Sequence, residues 1–136
     1  MNFLEKILSF IIKDNKLLLL LGSENDPQFH DSFWYVVTGG VEKQDKNLYN
    51  TVKREIKEET NLDTIKIIDL NLTYKYKSLN KDCNEHVFIS YVSDNEIILN
   101  EENLDYKWCT LDEFIEKIKW YYDKKELNKL LKKYIN

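Results

Sequence analysis

Four charged side chains in one short run could do chemistry together. They are Arg54, Glu55, Glu58 and Glu59, in the stretch Arg54-Glu55-Ile56-Lys57-Glu58-Glu59-Thr60-Asn61-Leu62. On a helix turning about 100° per residue, the three carboxylates share one flank. Leu48, Val52 and Ile56 form an apolar stripe beside them, and Asn50, Lys53 and Lys57 fall on the wet side. Glu59 stands where that stripe would continue with an apolar residue. Glu55 and Glu59 are like charges one turn apart, which costs about 0.2–0.5 kcal/mol in an exposed helix and more where burial removes water. Arg54 reaches Glu58 one turn on, but one guanidinium cannot neutralise three carboxylates. A hard divalent cation with oxygen ligands can.

The plain alternative is a solvated, charged helix, the usual meaning of such runs. Two details count against it. Glu59 lies on the apolar side, and Arg54 is the only arginine in a lysine-rich chain. A fork-shaped, bidentate donor therefore occurs once, beside the carboxylates. Gly39-Gly40 precedes the helix, and glycines permit close approach of backbone to a ligand.

These residues resemble the signature of the Nudix hydrolases: Gly, five residues, Glu, seven residues, then Arg-Glu-aliphatic-x-Glu-Glu-x-Gly-aliphatic. Arg54 to Glu59 matches its core without a gap, and Leu62 matches the closing aliphatic. Two positions depart. Counting back from Arg54 puts Gly40 first and Lys46 where the family has Glu. Counting forward from Gly39 puts Asp45 there, with one extra residue before the helix; this register keeps an acid in place and is preferred. The closing Gly is Asn61, a mild change, because Asn tolerates the left-handed conformation of a helix C-cap.

The resemblance implies an α/β fold, a Nudix-type α/β/α sandwich around a mixed β-sheet, with residues 1–136 as a single domain. It implies Glu55, Glu58 and Glu59 as ligands of Mg²⁺ or Mn²⁺, with a backbone carbonyl from Gly39 or Gly40. Arg54 would hold the cluster rather than touch substrate. The base would be Glu55 or a loop acid shortly before a Trp. Glu101 and Glu102 occupy that place ahead of Trp108, and Glu102 is the better candidate. The reaction would be hydrolysis of a phosphoanhydride in a nucleoside diphosphate linked to another group. Phe33-Trp34 to Glu42 and Glu102 to Trp108 look most like the dihydroneopterin triphosphate and dATP pyrophosphohydrolases. Lys46 and Asn61 motivate the alternative, a weakly active or inactive Nudix-fold module that binds a nucleotide or protein.

The remaining elements must position these residues. The chain has 136 residues and a net charge of −4, which is room for one core and argues against a general nucleic-acid binder. No apolar run approaches a membrane span, and no signal-peptide pattern opens the chain. Cys83 and Cys109 are too few for a disulfide framework or zinc site, so reduced thiols in a cytoplasm are expected. Residues 3–22 predict a hairpin turning at Lys13-Asp14-Asn15-Lys16, its second strand Leu17 to Leu21 buried on both faces. Gly22 to Asp31, with Pro27, reads as a loop. Phe33 to Thr38 reads as a strand with Trp34 and Tyr35 on opposite faces, one in the core and the other able to stack on a base. Thr64 to Ser78 predicts one or two strands, Asn80 to Asn84 a turn, and Glu85 to Ser93 a return strand. His86 and His30 read as structural or rim residues. Thr110-Leu111-Asp112-Glu113 is a capping box opening a helix to about Trp120, and Asp123 to Tyr134 a second helix, together covering the sheet.

Overall fold

The computed structural model describes residues 3–22 and 32–135. Strand β1, Leu4–Lys13, and strand β2, Lys16–Gly22, form the expected hairpin. Its turn is Asp14-Asn15, with φ of 50° and 59°. Two left-handed residues make the tight turn whose twist matches that of the strands, and Asp and Asn adopt it at low cost. Leu17 and Leu19 enter one apolar cluster, Leu18 and Leu20 the other. The unbroken leucine run is thus a strand buried on both faces. The loop expected at Gly22 to Asp31, with Pro27 and His30, lies outside the described residues beyond Gly22.

Strands β3 (Trp34–Tyr35) and β4 (Val37–Gly40) replace the single strand expected over Phe33 to Thr38. The chain changes partner at Val36: β3 pairs with β2, and β4 with the first half of β1. Helix α1 (Leu48–Thr60) follows. Asn47 caps it by accepting from the Asn50 N–H at 2.9 Å. Asn61 closes it at φ 69°, its N–H bonded to the Lys57 carbonyl. The left-handed C-cap expected of Asn61 is therefore present.

Strand β5 (Thr64–Ser78) is one strand of 15 residues, interrupted by an irregularity between Asp69 and Thr73. There Asn71 takes φ 53° and its N–H bonds to Asp69 Oδ1. Strand β6 (Lys81–Val92) returns antiparallel to it. The turn is Leu79-Asn80, not Asn80 to Asn84; Lys81 and Asn84 are already paired with Ser78 and Lys75. A leucine carries no turn signal, and the polar residues after it belong to the strand. Strand β7 (Asn103–Cys109) pairs with β2.

Together these make a seven-stranded mixed sheet of order β3-β2-β1-β6-β5, with β4 added to β1 and β7 to β2. The β1–β6 pair is parallel and the others antiparallel. Val52 and Ile56 of α1 close one face over Ile7, Ile11, Val37 and Phe88. Helices α2 (Leu111–Lys117) and α3 (Lys124–Leu131) close the other through Phe114, Leu127 and Leu131, over Leu8, Phe10 and Val87. This is the expected α/β/α sandwich. The Thr110–Glu113 capping box is formed in both directions. Helix α2 ends at Lys117, short of Trp120. Ile118 is extended, the Lys119 N–H bonds to the Trp34 carbonyl at 2.9 Å, and Trp120 packs edge-on or tilted against Phe10, Tyr35 and Tyr74. Asp123 is the cap of α3, which stops at Leu131 rather than Tyr134. Among the described residues, no helix is long and apolar enough to cross a membrane.

Asn61 gives a direct check on the C-cap. Asn61→Gly should change unfolding free energy by no more than about 0.5 kcal/mol. Asn61→Val, a β-branched residue forced left-handed, should lower it by roughly 1–2 kcal/mol in urea denaturation.

Candidate active site

Arg54 is the hub. Its Nε donates to Asp45 Oδ1 at 3.0 Å and its Nη2 to Asp45 Oδ2 at 2.9 Å, a bidentate pair. Nη2 also reaches the Gly40 carbonyl at 2.9 Å. Nη1 donates to Glu55 Oε1 at 2.8 Å, and both Glu58 oxygens and Glu42 Oε2 lie 3.3 Å from it. One guanidinium thus serves four carboxylates. The Asp45 side chain is only 3% exposed. The guanidinium holds its carboxyl far below the usual range, helped by the Glu42 N–H and the Thr51 hydroxyl. Asp45, not the exposed Lys46, therefore stands against Arg54, as the forward register expects.

The apolar stripe is as read: Val52 and Ile56 are fully buried, and Glu55 and Glu59 are buried beside them. Burial pushes the Glu55 carboxyl up to about 7; Arg54 opposes this, while Glu58 and Glu102 add to it. Burial also raises Glu59 well above the ordinary carboxylate value, and the charges of Glu102 and Glu55 act the same way. The neighbouring Glu55 carboxyl thus favours the neutral form of Glu59. Asn103 Nδ2 donates to Glu59 Oε1 at 3.2 Å. Glu58 remains half-exposed. Gly39 lies directly against this group, and a β-carbon built there would land on the Glu55 carboxyl. Gly40 has open space on that side; its part is the carbonyl that Arg54 binds.

The sequence-predicted residues are thus largely brought together. Arg54, Glu55, Glu58 and Glu59, on the second half of α1, meet Gly39 and Gly40 at the end of β4, and Glu102, in the turn before β7, acts on both buried carboxyls. Trp34 and Tyr35 do not divide into a core and a free ring: both are half-buried and pack against the cluster under α2 and α3, because β3 is too short for strict alternation. Tyr35 also lines a cavity of about 310 Å³ on that face of the sheet. His86 bonds to Glu5 at 2.8 Å and sits 3.3 Å from the Thr73 hydroxyl, a structural setting; His30 is outside the described residues. Cys83 and Cys109 are free and buried. Asn103 escaped sequence reasoning, since nothing local marks it as a partner of a residue on α1.

Among the described residues, no three acidic, His or Cys side chains already converge as a metal cage. The donor set nonetheless fits a hard divalent cation: oxygen ligands, two of them buried carboxyls side by side whose like charges a cation would offset. Arg54 holds Glu58 and one oxygen of Glu55, leaving the second Glu55 oxygen and Glu59 turned inward.

The comparison with protein families agrees with this geometry. The NUDIX domain model matches residues 6–131. The chain belongs to the Nudix family. It is 31% identical over 121 residues to the dihydroneopterin triphosphate diphosphatase of Haemophilus influenzae, covering 79% of this chain and 73% of that one. The MutT protein of Methanosarcina mazei superposes with a TM-score of 0.77 at 24% identity, covering 96% of each chain. The dihydroneopterin triphosphate pyrophosphohydrolase of E. coli superposes at 0.69 with 21% identity, covering 95% of each. The chain is a Nudix pyrophosphohydrolase, of a family that generally works with divalent metal.

The register at Asp45 can be tested. Asp45→Asn strips the Arg54 fork of its charged partner and should destabilise by roughly 1–2 kcal/mol, the scale for losing charge-assisted hydrogen bonds at a part-buried pair. Lys46→Glu should leave stability within about 0.5 kcal/mol. The raised carboxyls predict a second result. Without metal, the folded state binds protons that the unfolded state releases, so stability should fall as pH rises from the ordinary Glu value of 4.5 towards about 7. Glu55→Gln should flatten that slope in EDTA-treated protein.

Proposed function

We propose that this Nudix enzyme hydrolyses a (d)NTP-type substrate or dihydroneopterin triphosphate, releasing a monophosphate and pyrophosphate, with Mg²⁺ or Mn²⁺. The observation that carries this reading is the buried Glu55–Glu59 pair seated on Gly39. Two buried carboxyls beside a bare backbone make a poor surface for a polyanion alone, and a good one for a polyanion brought by a cation. Bound Mg²⁺ would screen the phosphates and stabilise charge on the leaving oxygen.

Glu55, Glu58 and Glu59 would hold the cation, with a carbonyl of Gly39 or Gly40. Arg54 would act at one remove, fixing Glu55 and Glu58 while Asp45 fixes Arg54. Either Glu55 or Glu102 would take the proton from the attacking water: Glu55 for its carboxyl near neutrality, Glu102 for its exposed place at the rim. Resemblance to a dihydroneopterin triphosphate diphosphatase supports the triphosphate class. The non-hydrolytic alternative loses its motive, since Asp45 supplies the acid missing at Lys46 and Asn61 supplies the C-cap.

The test is release of pyrophosphate and phosphate from (d)NTPs, dihydroneopterin triphosphate, ADP-ribose and dinucleoside polyphosphates, with Mg²⁺ or Mn²⁺ and with EDTA. Metal-dependent pyrophosphate release from the triphosphates is expected. Turnover confined to ADP-ribose or dinucleotides would overturn the substrate class. Glu59→Gln should lower kcat/KM on the order of 100-fold or more and remove the Mg²⁺-induced rise in melting temperature. A variant that keeps its Mg²⁺ response would show that Glu59 is no ligand.

A further inference from the structure

On the sheet face opposite α1, the 310 Å³ cavity is walled by Lys6, Tyr35, Tyr76, Tyr121 and Tyr122 around the carboxyl of Glu85. Glu85 occupies a position in β6 that should be apolar. Val87 and Ile89 follow it on the same face and are fully buried. Glu85 itself is only 6% exposed. The Tyr76 hydroxyl donates to its Oε2 at 3.1 Å. Burial raises the Glu85 carboxyl, and the Tyr76 bond and the charge of Lys6, paired with it on β1, hold it back. A carboxylate can accept about four hydrogen bonds, so Glu85, which lines the cavity, keeps acceptor capacity for a ligand there.

The cavity adjoins the carboxylate site through the backbone. Thr38 lines it, and the next residue, Gly39, lies against Glu55 on the other face of β4. Lys6 pairs with Gly40 on one side and Glu85 on the other. A substrate whose phosphates reach Gly39 and Gly40 over the β4 edge could therefore place its ring among the tyrosines.

Resting on the function proposed above, we propose that Glu85 determines ring specificity: its carboxylate accepts from an exocyclic amino group and the adjacent ring N–H of a guanine- or pterin-type ring stacked among Tyr35, Tyr76 and Tyr122. Those two donors point the same way and match the two oxygens of a carboxylate. Adenine presents an amino donor beside a ring nitrogen acceptor, whose lone pair would face the carboxylate. Tyrosine faces accept any flat base, so stacking supplies affinity and Glu85 supplies the choice.

The experiment measures binding of dihydroneopterin, guanosine and adenosine to the full chain in EDTA, at mildly alkaline pH, by calorimetry. Without phosphates or metal, it reads the ring pocket alone. Dihydroneopterin and guanosine should bind wild type at least about tenfold more tightly than adenosine. Glu85→Gln should erase that preference while its melting curve stays cooperative, and Tyr122→Ala should weaken all three ligands together. Adenosine binding as well as guanosine to wild type, a result that needs no variant, would overturn the proposal, as would a preference that survives in Glu85→Gln. The two readings fail separately. Triphosphates hydrolysed without regard to their ring would leave the function standing and remove the role of Glu85. A ring preference without turnover of any triphosphate would do the reverse.

Discussion

Everything at the site depends on the fork between Arg54 and Asp45. Asp45 belongs to the loop after the glycines and Arg54 to the middle of α1, so their two parallel hydrogen bonds fix loop to helix. The remaining guanidinium N–H groups then fix the Gly40 carbonyl, Glu55 and Glu58. A lysine could not do this, since a single ammonium cannot present donors in several fixed directions. The cost of crowding carboxylates is offset locally by one delocalised cation, which contacts four of them. That arrangement is tense by construction, with Glu59 packed beside Val52 and Ile56 where a leucine would be the comfortable choice.

The sheet separates two environments, and β4 is the divider. Gly39 faces the acidic flank of α1, where the absence of a side chain lets Glu55 settle on the backbone. Thr38 faces the tyrosine-lined cavity. The far wall of that cavity exists because α2 stops early. Lys119 is tied to the Trp34 carbonyl, Trp120 is driven into the rings of Phe10, Tyr35 and Tyr74, and Tyr122 is stacked on Tyr74 at 4.2 Å.

Much of this was legible in the sequence where the signal is local. The charged run on α1, the apolar stripe, the leucine strand, the Asp-Asn turn and the Thr110–Glu113 box each follow from spacing alone. What was not legible depends on contacts between remote segments. Trp120 leaves its helix because a cluster from three strands receives it. Leu79 turns because the β5–β6 register demands a tight reversal there, against its own propensity. Asn103 matters only because β7 passes the end of α1. Glu85 reads as an ordinary charged residue at a strand start until the sheet places it in a row of buried valine and isoleucine.

Strand β1 precedes every other strand described, yet it is the centre of the sheet. Its hairpin partner covers only its far end; the rest of that edge waits for β4, and its other edge for β6. Glu5 and Asn84, bonded side by side, are 79 residues apart. At roughly 5–20 residues per second, synthesis leaves Ile7, Phe10 and Ile11 with an open strand edge for several seconds. The face under α1 draws most of its buried residues from the first 62 positions, with Phe88 and Val92 added from β6. The opposite face draws on Leu8, Phe10, Val87, Phe114, Leu127 and Leu131, so it closes only through contacts at long range, which slow folding.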